Sequence, residues 1–273
     1  MLIKRDLSYG SDERHRFDVY IPEKANGASI VCIHGGGWWQ GDKQKEKRVP
    51  EALVGSGYLV FVPNYRLAQG VDKEGVPLDV AEQKNLFPTQ INDLLLFIDY
   101  IHQSEQWVIG NLGIFGSSSG GNIATELAAR KGFPTVSWSG LVDFEGFYNK
   151  NGETPMIKRE HLENTPSEKI DQGGSDDPYY KWCLMNLVGG DTSRLTEASV
   201  IHRISAKTGP MYLAVSEDEL VHSYEVENLT NALIENGVEV QSQYLKGSRH
   251  AEAYFDDAIR PSIEFFKHYL LDA

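Results

Sequence analysis

The chain is poor in the residues that staple, anchor or attract. Its 273 residues include two cysteines, Cys32 and Cys183, in neither a C-x-x-C pair nor a metal-ligand spacing. That excludes a disulfide framework and a cysteine-held metal, and both are read as free thiols, Cys32 in a buried strand and Cys183 in a helical stretch. No apolar run approaches the ~20 residues needed to cross a bilayer. Positive charge is in deficit: 26 Lys and Arg stand against 39 Asp and Glu, a net charge of −13. Such a surface repels nucleic-acid phosphates and anionic lipid headgroups, so neither is expected as a partner. The N-terminus meets charge at Lys4, Arg5 and Asp6, too early for the apolar region of a secretory leader, and a cytoplasmic location is expected. Internal repeats and low-complexity linkers are absent from the sequence.

A hydrophobic content of 41% is enough to bury a core without disulfides or a metal. Strand-like runs recur near 2–8, 15–21, 28–33, 58–63, 111–115, 135–141, 211–215 and 238–245. The first two flank the turn signal Gly10-Ser11-Asp12 and predict an antiparallel pair. From the third onward, helical patterns separate most strands, the signature of right-handed crossovers and a parallel sheet. One helix opens at Pro88 with Ile91, Leu94, Leu95 and Ile98 as its stripe. A second runs from Ser119 to Lys131, and a third carries Val226, Leu229 and Leu233. A last one is expected to start at Pro261. The fold class is therefore α/β: a single domain over 1–273, with an eight-stranded, mostly parallel sheet flanked by helices. Two stretches exceed that plan. Residues 145–208 are expected to form a cap insertion and 67–87 a second cap loop, both over the sheet's carboxyl edge.

Chemistry is written most densely at Gly116-Ser117-Ser118-Ser119-Gly120-Gly121. A short apolar strand enters G-x-S-x-G and an amphipathic helix leaves it, which is the nucleophile elbow. Of the three serines only Ser118 has glycine two residues before and two after, where strand and helix must pass closely. A phosphate loop would end in Gly-Lys-Ser/Thr, and a dinucleotide loop would read G-x-G-x-x-G; neither fits. A second signal is Ile30-Val31-Cys32-Ile33 running into His34-Gly35-Gly36-Gly37-Trp38. Bare glycine backbone after a strand offers N–H donors to a tetrahedral oxyanion, and the hole is assigned to Gly36, Gly37 and the amide of Ser119. His34 precedes the nucleophile and is read as structural.

These motifs, together with Gly41-Asp42-Lys43, Asn64-Tyr65-Arg66, Phe87-Pro88 with Asp93, and Gly116 to Ala124, resemble the hormone-sensitive-lipase-like esterases and the feruloyl-esterase-like and arylformamidase hydrolases. The resemblance runs from about residue 16 to the C-terminus and is weakest over 145–180. It departs from the pattern at Ser117, where many members carry an acid, and at Ser119, often alanine. It implies an α/β-hydrolase fold with a variable cap. It further implies a serine carboxylesterase for short acyl or aryl esters that needs no cofactor and no metal.

In this fold the order is Ser, acid, His. Of the five histidines after Ser118, namely His161, His202, His222, His250 and His268, only His250 falls in a loop after the last strand, and it is the expected base. The acid is expected in Ser216-Glu217-Asp218-Glu219, after the strand Met211 to Val215. The resemblance selects Asp218, with Glu217, Glu219 and the earlier Asp143 as competitors. Trp38 and Trp39 are expected to wall the substrate pocket. Two alternatives are an arylformamidase cleaving an N-formyl amide and a ligand-binding protein on a silenced hydrolase fold. The second would be expected to have lost nucleophile, base or hole, and all three are written here. The expected partner is a small ester, and a homo-oligomer is compatible with the sequence.

Overall fold

The computed structural model describes residues 1–45, 47–162 and 165–272. In chain order its elements are β1 (Leu2–Ser8), β2 (Arg16–Ile21), β3 (Ala28–Ile33), α1 (Arg48–Gly55), β4 (Leu59–Pro63), α2 (Thr89–Gln103), β5 (Asn111–Ser117), α3 (Ser119–Lys131) and β6 (Thr135–Trp138). There follow α4 (Phe144–Lys150), α5 (Asp177–Val188), α6 (Leu195–Ala198), β7 (Met211–Ser216), α7 (Tyr224–Glu235), β8 (Val240–Leu245) and α8 (Phe255–Leu270).

Every residue of β3, β6 and β7 is buried, and strands covered on both faces belong inside a parallel sheet. The strands form one eight-stranded sheet in the order β1-β2-β4-β3-β5-β6-β7-β8. β1 pairs with β2 and β2 with β4 in antiparallel fashion, and all the other pairings are parallel. Side chains alternate across the pleat. Ile30 and Cys32 meet α1 and α8 through Val49, Leu53 and Phe266, whereas Val31 and Ile33 meet α2 and α3 through Leu94, Ile123 and Leu127.

Two boundaries differ most from those the sequence predicts. β6 ends at Trp138 because Ser139 turns into the left-handed region, at φ 52°. The last helix starts at Phe255, not Pro261, which lies inside it. Proline in a helix interior costs about 3 kcal/mol. The buried stripe of Ala258, Ser262, Phe265, Phe266 and Leu270 outweighs it by packing on the sheet.

The two long connections are stitched to each other. The 67–87 segment folds back on itself through bridges between Gln69 and Lys84 and between Val71 and Pro77. Buried Asn186 of α5 accepts from the amides of Gly70 (2.8 Å) and Val71 (3.2 Å) and donates to the Ala68 carbonyl (3.0 Å). Trp182 Nε1 donates to the Asp72 carbonyl at 2.8 Å. The end of the 145–208 insertion returns to the sheet's flank, where Val200, Ile201 and Ile204 pack with Ala128 and Leu229. Among the described residues no helix is long and apolar enough to cross a membrane.

Asn186→Ala should strand two buried amides and cost about 2–4 kcal/mol. Urea titration should read this as a lower midpoint at unchanged slope. A midpoint equal to that of the parent chain would show that Asn186 does not hold the two segments together.

Glu225, at the start of α7, is buried, and its Oε2 accepts from the amides of Val142 (2.8 Å) and Asp143 (3.0 Å). Burial pushes its carboxyl up to about 7, against the lowering effect of those two bonds. The folded chain therefore holds this proton more tightly than the unfolded one. The contribution to stability is complete below the ordinary carboxylate range and is lost as pH rises through about 7. Glu225→Gln should remove up to about 3 kcal/mol of the decline in unfolding free energy between pH 5 and 8. Parallel stability curves for the two proteins over that range would contradict the assignment.

Candidate active site

Ser118 stands between β5 and α3 with φ 53° and ψ −124°, a conformation that costs a non-glycine residue about 1–3 kcal/mol and persists only where neighbours enforce it. The enforcement is visible. A Cβ on Gly116 would collide with the Gly120 carbonyl, and one on Gly120 would collide with the carbonyls of Ile33 and His34. The Ser118 amide donates to the Trp138 carbonyl at 2.8 Å, which ties the turn to β6.

The glycine loop after β3 lies against this elbow. Gly36 and Gly37 have φ 120° and 59°, and the Gly36 carbonyl accepts from the amides of Trp39 (3.3 Å) and Gln40 (3.1 Å). Among the described residues no backbone acceptor takes the amides of Gly36 or Gly37. Ser119, first residue of α3, has no acceptor within its own helix. His34 braces the loop: its Nδ1 meets the Gly35 carbonyl at 2.8 Å and its ring stacks on Tyr65 at 4.3 Å. Burial pushes its imidazole down to about 3, so it stays neutral and structural.

One pocket joins these pieces. It is lined by Gly36, Gly37, Ser118 and His250, with Tyr179, Tyr180, Leu162, Ile170 and Leu220 closing it, and its cavity volume is about 20 Å³. Tyr180, from the first turn of α5, is buried and brings its hydroxyl to the Ser118 side chain; burial holds the phenol well above its ordinary value.

The expected acid needs correction. Asp218 is exposed, and it is Glu219 whose Oε2 meets His250 Nδ1. The amide of Glu217 donates to the Leu245 carbonyl (2.8 Å) and that of Asp218 to the Gly247 carbonyl (3.1 Å). With the backbone pinned to the end of β8, the Glu217 and Asp218 side chains face solvent, and only Glu219 turns inward. Its Oε1 accepts from Ser139 Oγ (2.7 Å) and from the Ser216 amide (3.0 Å). Glu219 and His250 are 1% and 2% exposed. Asp143 is engaged elsewhere, accepting from the Gly146 amide at 2.9 Å to cap α4.

Trp38 is also corrected. It is 1% exposed and packs edge-on against Phe144 at 5.2 Å, so it belongs to the core. Trp39 lines grooves beside the pocket with Arg14 and Gln44 on one side and Leu78 and Trp182 on the other. The pocket walls that sequence reasoning missed, Tyr179 and Tyr180, carry a local signal. Asp176 caps α5, Pro178 opens it, and the run that follows is apolar and aromatic but for Lys181 and Asn186, which marks a helix buried on all sides. Among the described residues no cluster of His, Cys, Asp and Glu has the arrangement to hold a metal.

A family model described as BD-FAE matches residues 17–233. A kynurenine formamidase of Meyerozyma guilliermondii is 30% identical over 124 residues, covering 44% of this chain and 41% of that protein. The chain thus aligns with about two fifths of the length of that curated relative. Among solved structures, a truncated carbohydrate esterase from gut microbiota superposes with a TM-score of 0.71 at 18% identity, covering 98% of this chain and 96% of that one. Esterase B from Lactobacillus rhamnosis gives 0.69 at 16% identity, covering 98% and 85%. An arylesterase gives 0.69 at 16%, covering 97% and 82%. The structural likenesses share the fold, and the family match spans most of the chain. The protein belongs to the BD-FAE family of feruloyl-esterase-like α/β-hydrolases.

Proposed function

We propose that the protein is a serine carboxylesterase for short acyl or aryl esters, working through Ser118, His250 and Glu219 and an acyl-enzyme. The observation that carries this reading is the shared pocket of Ser118 and His250, with the buried Glu219 carboxylate on His250 Nδ1. That bond holds the proton on Nδ1 and leaves the Nε2 lone pair for the serine.

In this mechanism Ser118 Oγ attacks the ester carbonyl as His250 Nε2 takes its proton. The oxyanion accepts from the amides of Ser119, Gly36 and Gly37. His250 returns the proton to the leaving alcohol, and an acyl-enzyme remains. Water, deprotonated by the same nitrogen, then releases the acid. Glu219 orients the imidazole and stabilises the imidazolium.

A second reading, hydrolysis of an N-formyl amide, is supported by the partial likeness to a kynurenine formamidase. The same residues serve it, because both reactions pass through a tetrahedral oxyanion. Relative kcat/KM on an aryl acetate and on N-formylkynurenine separates the two.

Ser118→Ala should lower kcat by about 10⁵–10⁶, and a fluorophosphonate should label Ser118 in the parent protein. Labelling of Ser117 or Ser119 instead would overturn the assignment. Glu219→Gln should cost about 10³–10⁴ in kcat, the loss expected of a missing tautomer anchor, while Asp218→Asn should leave kcat nearly unchanged. The reverse ranking would return the acid to Asp218.

A tight pocket closed by Leu162, Ile170 and Tyr180 suits small acyl groups. In a series of p-nitrophenyl esters below their micelle-forming concentrations, kcat/KM should peak at acyl chains of about two to four carbons and fall steeply beyond. A maximum at about eight carbons or more would reject the short-acyl reading.

A further inference from the structure

Ser139 was not marked by any motif, yet it bonds both the acid of the pair and the residue that follows its base. It follows β6 directly and is fully buried. Its Oγ donates to Glu219 Oε1 at 2.7 Å and accepts from the Ala251 amide at 3.2 Å. Ala251 is the residue after His250, so one hydroxyl is bonded to the acid and to the backbone that carries the base. The Tyr254 hydroxyl meets the same Oγ at 2.7 Å and donates to the Ala214 carbonyl at 3.0 Å. The Ser139 amide also donates to that carbonyl, at 2.8 Å. Both Ser139 and Ala251 are in the left-handed region, at φ 52° and 50°, a cost that elements packed on them must enforce.

We propose that Ser139 is a positioning residue that sets the geometry and the proton affinity of the Glu219–His250 pair. This rests on the reading of Ser118, His250 and Glu219 as the triad. A serine here could satisfy its hydroxyl more simply, within its own turn. Instead it spans the ends of β6 and β7 and the loop after β8, the three strand ends that the acid and base depend on.

The consequence for pH follows from charge. The working pair, ionised Glu219 with neutral His250, carries one negative charge, and the Ser139 bond stabilises it. Once the pair gains a proton, that charge is neutralised by the imidazolium and the bond counts for less. Removing the hydroxyl therefore makes protonation easier, and the acid limb of activity moves to higher pH. Among the described residues, the titratable and charged groups facing the pair are Tyr180 of α5, Tyr254 of the turn before α8, and Lys45 across the pocket. Glu252 lies two residues beyond His250 in the same turn. All of these stay in place when Ser139 is changed.

The test uses two substitutions in the full chain. Ser139→Gly deletes the hydroxyl and relaxes the left-handed backbone; Ser139→Ala deletes the hydroxyl and keeps the strain. Both should lower kcat about ten- to a hundredfold with little change in KM. Both should also raise the acid limb of kcat/KM by about half a pH unit or more. The pH shift should be alike in the two, whereas their melting temperatures should differ. An unmoved acid limb in whichever variant folds overturns the proposal, as does a rate loss expressed only in KM. Ser118→Ala is run in parallel. If it stays active, the triad reading itself has failed. If it is dead and the limb of the Ser139 variants is unmoved, only the positioning role has failed.

Discussion

The structure depends on one close approach, that of β5 and α3 on either side of Ser118. With glycine at 116 and 120, the strand's backbone passes directly against the helix's first turn, and the chain reverses within a single left-handed residue. The same contact reaches further than the elbow. The backbone at Gly120 lies against the carbonyls of Ile33 and His34, so the turn that raises the serine also fixes the end of β3 and the glycine loop that follows it. Ser118 and the glycine loop, the proposed nucleophile and oxyanion donors, are thereby placed by one backbone-on-backbone contact, with no side chain between them to adapt. The arrangement is stiff because protein interiors are close-packed, and a methyl group in that gap has nowhere to go.

The long insertion is less a lid than a brace. The His250 amide donates to the Ile170 carbonyl at 2.9 Å, and Ser248 Oγ donates to Asp171 Oδ1 at 2.6 Å. On the other side, the amides of Gly174 and Asp176 donate to the carbonyls of Asp218 (3.0 Å) and Leu220 (3.3 Å). Residues 170–176 thus hydrogen-bond to the loop of the base and to the turn of the acid at once. Tyr180, a few residues on, reaches the nucleophile. The segment that closes the pocket is thus also part of the frame that holds His250 and Glu219.

Much of this was legible in the sequence because it is written in local rules. Strand runs, their order and the elbow follow from period-two burial and from glycine's freedom, and the sheet has the eight predicted strands in matching places. The residues that escaped are those decided by tertiary contact. Trp38 beside an oxyanion loop reads as a pocket wall, but its positive φ turns it into the core against Phe144. Pro261 reads as a helix start because local propensity disfavours it anywhere else. Only the apolar stripe of α8, facing a sheet that is distant in sequence, carries the helix through it. Ser139 has no sequence signature at all, since its role comes from three strand ends that meet only in the folded chain.

The choice among three consecutive acidic positions shows where pattern gives out and geometry takes over. Glu217, Asp218 and Glu219 are equivalent to any argument from charge or from the order of residues along the chain. What separates them is the pair of backbone bonds that clamps 217 and 218 to the end of β8. Those bonds leave 219 as the position whose side chain enters the interior. A carboxylate there is shielded from water and would be costly unless its oxygens were satisfied. They are: Oε1 by Ser139 and the Ser216 amide, Oε2 by His250. The longer side chain of glutamate spans from a turn held against β8 to an imidazole on the following loop. The strand clamp therefore selects Glu219 as the carboxylate that meets His250.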